Sequence, residues 1–161
     1  MMYEEQKPKK KLTPNQAMLK AQATCAYQER CQQEMRNKLY DWGLHSIEVE
    51  NIIAQLITDN FLNEERFAIA FAGGKFRIKK WGRVKIKLEL KKRKISDYCI
   101  SKALQQIDDK DYLRTIRELI AKKGKEIKGG KENIRNYKIA RFVASRGFEQ
   151  DVVWDVMKGE M

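Results

Sequence analysis

Apolar positions recur along this chain in a pattern that occurs three times. Leu39, Gly43, Leu44, Val49, Ile52 and Ile53 form the first copy. Leu90, Lys94, Ile95, Ile100, Ala103 and Leu104 repeat it 51 residues later, and Val143, Gly147, Phe148, Val153, Val156 and Met157 repeat it after a further 53. In each copy the last three positions lie 5, 8 and 9 residues after the third. A period of roughly 50 residues is the mark of stacked supersecondary units. Such arrays present a surface to a partner rather than enclose a pocket.

Within each copy the spacing is helical. Thr13-Pro14 is a helix start, a capping hydroxyl followed by proline at the first helical position. A second helix is expected from about Glu29 to Asp41, with Gly43 supplying a left-handed cap. Ser46 should cap a third, where Val49, Ile52, Ile53 and Leu56 share one face. The next unit opens at Asn63 and carries Phe67, Phe71 and Phe76; Gly73-Gly74 marks a weak point, a kink or a close backbone approach. Ser96 caps the last helix of that unit. The third unit opens near Asp108 with Tyr112, Leu113, Ile116, Leu119 and Ile120 on one face. It continues through a loop from Gly124 to Lys131, and ends in helices over Glu132–Ser145 and Glu149–Met157.

One segment reads two ways. Val84, Ile86, Leu88 and Leu90 alternate with Lys85, Lys87 and Glu89, the period of a strand. Yet the equivalent segments in the other copies do not alternate, and a lone strand has no ladder partner. We therefore assign helix. Its apolar residues then fall on two faces, Val84 with Leu88 and Ile86 with Leu90, as expected for a helix sandwiched between neighbours. The fold expected is all-α: an elongated, curved array of three tandem three-helix repeats over 12–58, 59–107 and 108–161, preceded by a disordered basic arm over 1–11.

Charge changes the picture. The chain carries 34 Lys and Arg against 22 Asp and Glu, a net charge of +12. Between Lys75 and Lys94 lie eleven basic residues and one acid, Glu89. Like charges at this density repel and weaken a helix, so something should neutralise them: phosphates, with counterion release and steep salt dependence, or acidic side chains of a protein. Trp81-Gly82 sits inside the run. Either the indole folds under a turn that the glycine relieves, or it stands exposed among cations, ready to stack on a base or anchor a protein.

The remaining chemistry is sparse. His45 is the only histidine, and Cys25, Cys31 and Cys99 contain no Cys-x-x-Cys pair, which argues against zinc and for buried thiols in a reducing compartment. No Gly-rich phosphate cradle precedes a lysine, and the carboxylates are scattered as caps and helix-face ions. No cofactor, no metal, no membrane contact and no enzyme activity are expected. The first residues do not form a signal peptide, and the expected location is the cytoplasm.

The run Phe61-Leu62-Asn63-Glu64-Glu65-Arg66-Phe67-Ala68, followed by Lys80-Trp81-Gly82-Arg83-Val84-Lys85-Ile86 and Glu89-Leu90, resembles the RecX family of bacterial regulatory proteins. Tyr27, Glu29, Arg30, Glu34, Met35 and Leu39 match its first element, and Arg146-Gly147-Phe148 its last turn. The departures are Lys80 for a glycine, Arg83 for a proline, Cys31 for a serine and Met35 for a leucine. The resemblance implies tandem three-helix units that bind the RecA recombinase as a filament on single-stranded DNA. It also implies inhibition of RecA's ATPase, strand-exchange and co-protease activities, in DNA repair, homologous recombination and the SOS response. The expected contact residues are Lys75, Arg77, Lys79, Lys80, Trp81, Gly82, Arg83, Lys85, Lys87, Lys91, Lys92 and Arg93, presented by a monomer. Exchange of Lys79, Lys80 and Arg83 for Glu should then abolish binding and leave the helices intact. The rival reading is a basic helical protein that binds nucleic acid directly, without RecA.

Overall fold

The computed structural model describes residues 11–159, so the arm expected over 1–11 lies, but for Lys11, outside the described residues. These residues form nine helices and no strand: α1 (Pro14–Tyr27), α2 (Gln32–Asp41), α3 (Ser46–Thr58), α4 (Glu64–Lys79), α5 (Arg83–Lys92), α6 (Asp97–Gln105), α7 (Asp109–Glu126), α8 (Glu132–Ser145) and α9 (Gln150–Met157). The chain divides into two compact units, Met1–Phe67 and Ala68–Met161.

In the first unit α1, α2 and α3 pack on one another around Ala17, Ala21, Met35, Leu39, Val49, Ile53 and Leu56. Thr13 caps α1 as expected: its hydroxyl accepts the Gln16 amide at 3.2 Å while the Gln16 side chain accepts the Thr13 amide at 3.0 Å. Two boundaries differ from the sequence reading. Residue 45, not Ser46, caps α3, and the His45 amide donates to the Glu48 carboxylate. The helix expected from Glu29 starts at Gln32, because Gln28 is extended and Glu29 is drawn to Arg66. The Arg66 guanidinium also donates to the Asn60 carbonyl at 3.0 Å, fastening the chain between α3 and α4.

The repeat is visible as a shared way of ending a helix. Gly43 (φ +89°), Lys94 (φ +59°) and Gly147 (φ +96°) all adopt the left-handed conformation. The amides of Leu44 and Ile95 reach back to the carbonyls of Leu39 and Leu90 at 3.3 and 3.2 Å. This is the Schellman arrangement, which satisfies the last carbonyls of a helix and turns the next apolar residue onto the core.

In the second unit three expectations change. Gly73-Gly74 does not break α4; Gly73 instead leaves room for the Arg77 guanidinium, which lies 2.8 Å from where a Cβ would stand. The loop expected from Gly124 starts only after Glu126, because the Arg135 guanidinium takes up the Gly124 carbonyl. The helix assignment of 84–90 holds, but α5 is not sandwiched. Ile86 and Leu90 are fully buried, while Val84 and Leu88 are 54% and 53% exposed.

The N-terminus of α5 is held by the α8–α9 turn. Helix N-termini leave amide donors without intrahelical partners. Here the Gly82 amide donates to the Arg146 carbonyl at 3.0 Å and the Val84 amide to the Gly147 carbonyl at 2.9 Å. The Arg83 amide donates to the Tyr112 hydroxyl at 3.1 Å, and the Arg146 guanidinium returns to the Lys79 carbonyl. The backbones cross so closely that a Cβ on Gly82 would stand 2.5 Å from the Phe148 nitrogen. One on Gly147 would stand 2.7 Å from the Lys85 nitrogen.

Gly82→Ala and Gly147→Ala should each cost on the order of 2 kcal/mol or more, because a backbone rather than a mobile side chain must yield. Gly74→Ala, in open space within α4, should instead stabilise by about 0.5–1 kcal/mol. Urea titration followed by circular dichroism measures all three.

Candidate partner-binding face

The twelve residues expected at the contact lie on the last turns of α4, the link Lys80–Gly82, α5 and its C-cap Arg93. Lys80 is left-handed (φ +57°), which accounts for the glycine that the resemblance places there. The Trp81 amide donates to the Lys75 carbonyl at 3.2 Å, and the indole packs edge-on against Phe71. The ammonium groups of Lys75 and Lys85 stand over the indole, 5.0 and 4.5 Å from its centroid. Trp81 is therefore half-buried and clothed by cations, between the two arrangements that its sequence allowed.

The cations separate into two groups. Lys79, Lys80 and Lys87 are exposed, and among the described residues no carboxylate stands within ion-pair distance of them or of Lys75, Arg77 or Lys85. The others are met by the protein's own acids. Arg83 donates to Asp109 at 2.8 Å and Glu149 at 3.2 Å, and its guanidinium stacks 3.8 Å from the centroid of the Tyr112 ring. Lys92 and Arg93 both reach Glu89 at 3.2 Å, which holds its carboxyl below the usual carboxylate range. Lys91 stands 4.0 Å from Asp97, a loose and largely exposed pair. Gly82 is buried at the backbone crossing and offers no contact surface; its φ of −82° is ordinary, so close approach rather than backbone strain requires it.

Arg83 thus belongs to a structural cluster. The buried Tyr112 packs on Phe76 and Phe148, donates its hydroxyl to Glu149 and accepts the Arg83 amide. Burial, reinforced by the Glu149 carboxylate, pushes the phenol well above its ordinary value. The sequence reading missed Tyr112, Asp109 and Glu149 as partners of Arg83, because they lie 26 to 66 residues away. Tyr112 looked like a core position and Glu149 like a helix start. The one usable signal was the Arg146-Gly147-Phe148 turn beside Glu149.

Beyond Arg83, α5 and α6 border an open groove of about 690 Å³, with Lys87 and Lys91 on one lip and Ser101 and Gln105 on the other. Its Asp97 and Asp109 offset part of the positive charge. Residues 68–161 hold 25 of the 34 basic residues and 12 of the 22 acids, whereas residues 1–67 are nearly balanced. Among the described residues no three His, Cys, Asp or Glu side chains gather as a metal site. No described helix is long and apolar enough to cross a membrane.

Helices alone, set in successive small units with an open cationic face on residues 68–161, define an all-helical modular protein. The sequence pattern of the RecX second three-helix domain matches residues 63–104, and that of the third matches residues 109–157. The chain belongs to the RecX family, whose members are non-enzymatic regulatory proteins. It is 23% identical to the regulatory protein RecX of Amycolatopsis mediterranei, over 96% of this chain and 90% of that one. It is 30% identical to RecX of Clostridium perfringens, over 76% of this chain and 58% of that one. The chain spans little more than half the length of the Clostridium relative, and 51% of that of a Bacillus cereus relative. The crystal structure of RecX from Lactobacillus salivarius superposes with a TM-score of 0.81 at 23% identity, covering 91% of this chain and 95% of that one, and so shares its fold.

The cluster changes what charge reversal will do. Arg83→Glu would set three carboxylates together and should lower stability by about 2 kcal/mol or more, seen as a lower Tm. Lys79→Glu and Lys80→Glu should leave Tm nearly unchanged. The raised Tyr112 phenol has a pH signature. The folded state keeps a proton that the unfolded chain releases near pH 10. Its contribution is therefore complete below that pH and is lost as pH rises above it. Tyr112→Phe should flatten the alkaline fall in stability, which urea titrations between pH 8 and 11 would reveal.

Proposed function

We propose that this protein binds a RecA recombinase filament on single-stranded DNA and restrains its ATPase, strand-exchange and co-protease activities. In this reading it acts as a monomer in the cytoplasm and has no chemistry of its own. Family membership supports the reading, and one observation on this chain carries the choice of contact site. Lys79 at the end of α4, Lys80 in the link and Lys87 on α5 stand exposed, without a carboxylate partner among the described residues. Cations left uncompensated by a protein's own acids attract an acidic surface and speed its approach. Lys75 and Lys85 add to them around Trp81. The contact set is thus narrowed from the twelve expected residues to Lys75, Arg77, Lys79, Lys80, Trp81, Lys85, Lys87 and Lys91, whose pair with Asp97 is loose and exposed. We read the chain as three docking modules, 12–58, 59–107 and 108–161, with the middle one making first contact.

Direct nucleic-acid binding without RecA would use the same cations, and stoichiometry separates the two readings. Inhibition of RecA ATPase at amounts well below one molecule per DNA site supports filament binding. Inhibition that appears only when the DNA is saturated supports competition. The Lys79→Glu, Lys80→Glu, Lys87→Glu triple variant should raise the half-inhibitory concentration by about tenfold or more and weaken its dependence on salt. Wild-type inhibition by this variant would remove the face from the mechanism.

A further inference from the structure

The alternating sequence of α5, folded as a helix, has an outcome that the charge map does not show. Ile86 and Leu90 face the core, while Val84 and Leu88, one turn apart, remain 54% and 53% exposed. A helix places residues three and four apart on one face. Lys87 and Lys91 therefore flank this apolar pair on one side, and Lys85 and Lys92 on the other. Phosphates do not require the pair, because counterion release needs only cations. The indole next to it is a poor stacking platform for bases, with the ammonium groups of Lys75 and Lys85 already over the ring.

We propose that the outer face of α5 recognises an acidic amphipathic helix of a partner protein. Two aliphatic side chains of that helix would pack on Val84 and Leu88, and its carboxylates would pair with Lys87 and Lys91 on one flank and Lys85 on the other. Charge complementarity selects this occupant: an apolar stripe between two rows of lysine matches an apolar stripe between two rows of Asp or Glu. The inference rests on the reading of α5 as a protein-docking element, and it names the chemistry that the docking partner must show.

The test uses the full chain and two fluorescein-labelled, side-chain-stapled helical peptides of identical composition, glutamate-rich with leucines. One has the leucines in a single stripe and the other has them dispersed around the helix. Anisotropy should show the striped peptide binding about tenfold more tightly, the gain from covering the open halves of two aliphatic side chains. Val84→Ala with Leu88→Ala should abolish that preference and leave binding to an oligothymidylate unchanged. Both side chains are exposed and alanine favours helix, so the fold should persist; should circular dichroism show otherwise, Leu88→Gln alone takes the place of the pair. Equal binding of the two peptides by the wild type overturns the proposal, as does a preference that survives the substitutions. No RecA is present, so this result stands apart from the ATPase assay: a failure there removes the proposed partner, and a failure here removes the apolar recognition.

Discussion

The structure of residues 68–161 depends on one backbone crossing. Gly82 and Gly147 approach closely enough for the first amides of α5 to bond to the carbonyls of the α8–α9 turn. Any side chain at either position would separate the strands of the crossing and leave buried donors unmade, which costs more than the bonds themselves contribute. Around this crossing the aromatic stack of Phe76, Tyr112 and Phe148 closes the core. Arg83 ties α5 to Asp109 and Glu149 from the outside. The second and third three-helix domains are in this way fastened through main chain as well as through apolar contact.

This division of labour explains why a strongly basic segment can stay folded. Part of the positive charge is retained for the protein itself: Arg83 by Asp109 and Glu149, and Lys92 and Arg93 by the single acid Glu89. Arg77, Lys79, Lys80, Lys87 and Lys94 are left outward, and Lys75 and Lys85 lie over the Trp81 indole. Repulsion within the run is thereby cut where the chain turns.

Much of this was legible in the chain. Helix periodicity, the caps at Thr13, Asn63 and Ser96, and the threefold recurrence of the Gly43, Lys94 and Gly147 turn are local features, and local features survive translation into sequence. The helical state of 84–90 was legible only by comparing copies, since its own period pointed to a strand. What stayed hidden was non-local. Nothing near Arg83 announces Glu149, and nothing near Gly82 announces the backbone that crosses it. The sandwiched α5 was wrong for the same reason: periodicity counts faces but does not say what covers them. Four of the twelve expected contact residues already have partners of their own: Gly82 at the backbone crossing, Arg83 on Asp109 and Glu149, and Lys92 and Arg93 on Glu89.

The uneven placement of charge has a consequence for motion in solution. Residues 68–161 carry all of the excess positive charge, 25 basic residues against 12 acids, while residues 1–67 hold 9 against 10. The pull of a polyanion therefore falls on residues 68–161 before any contact forms. That pull acts over about 10 Å at moderate ionic strength and fades as salt is added.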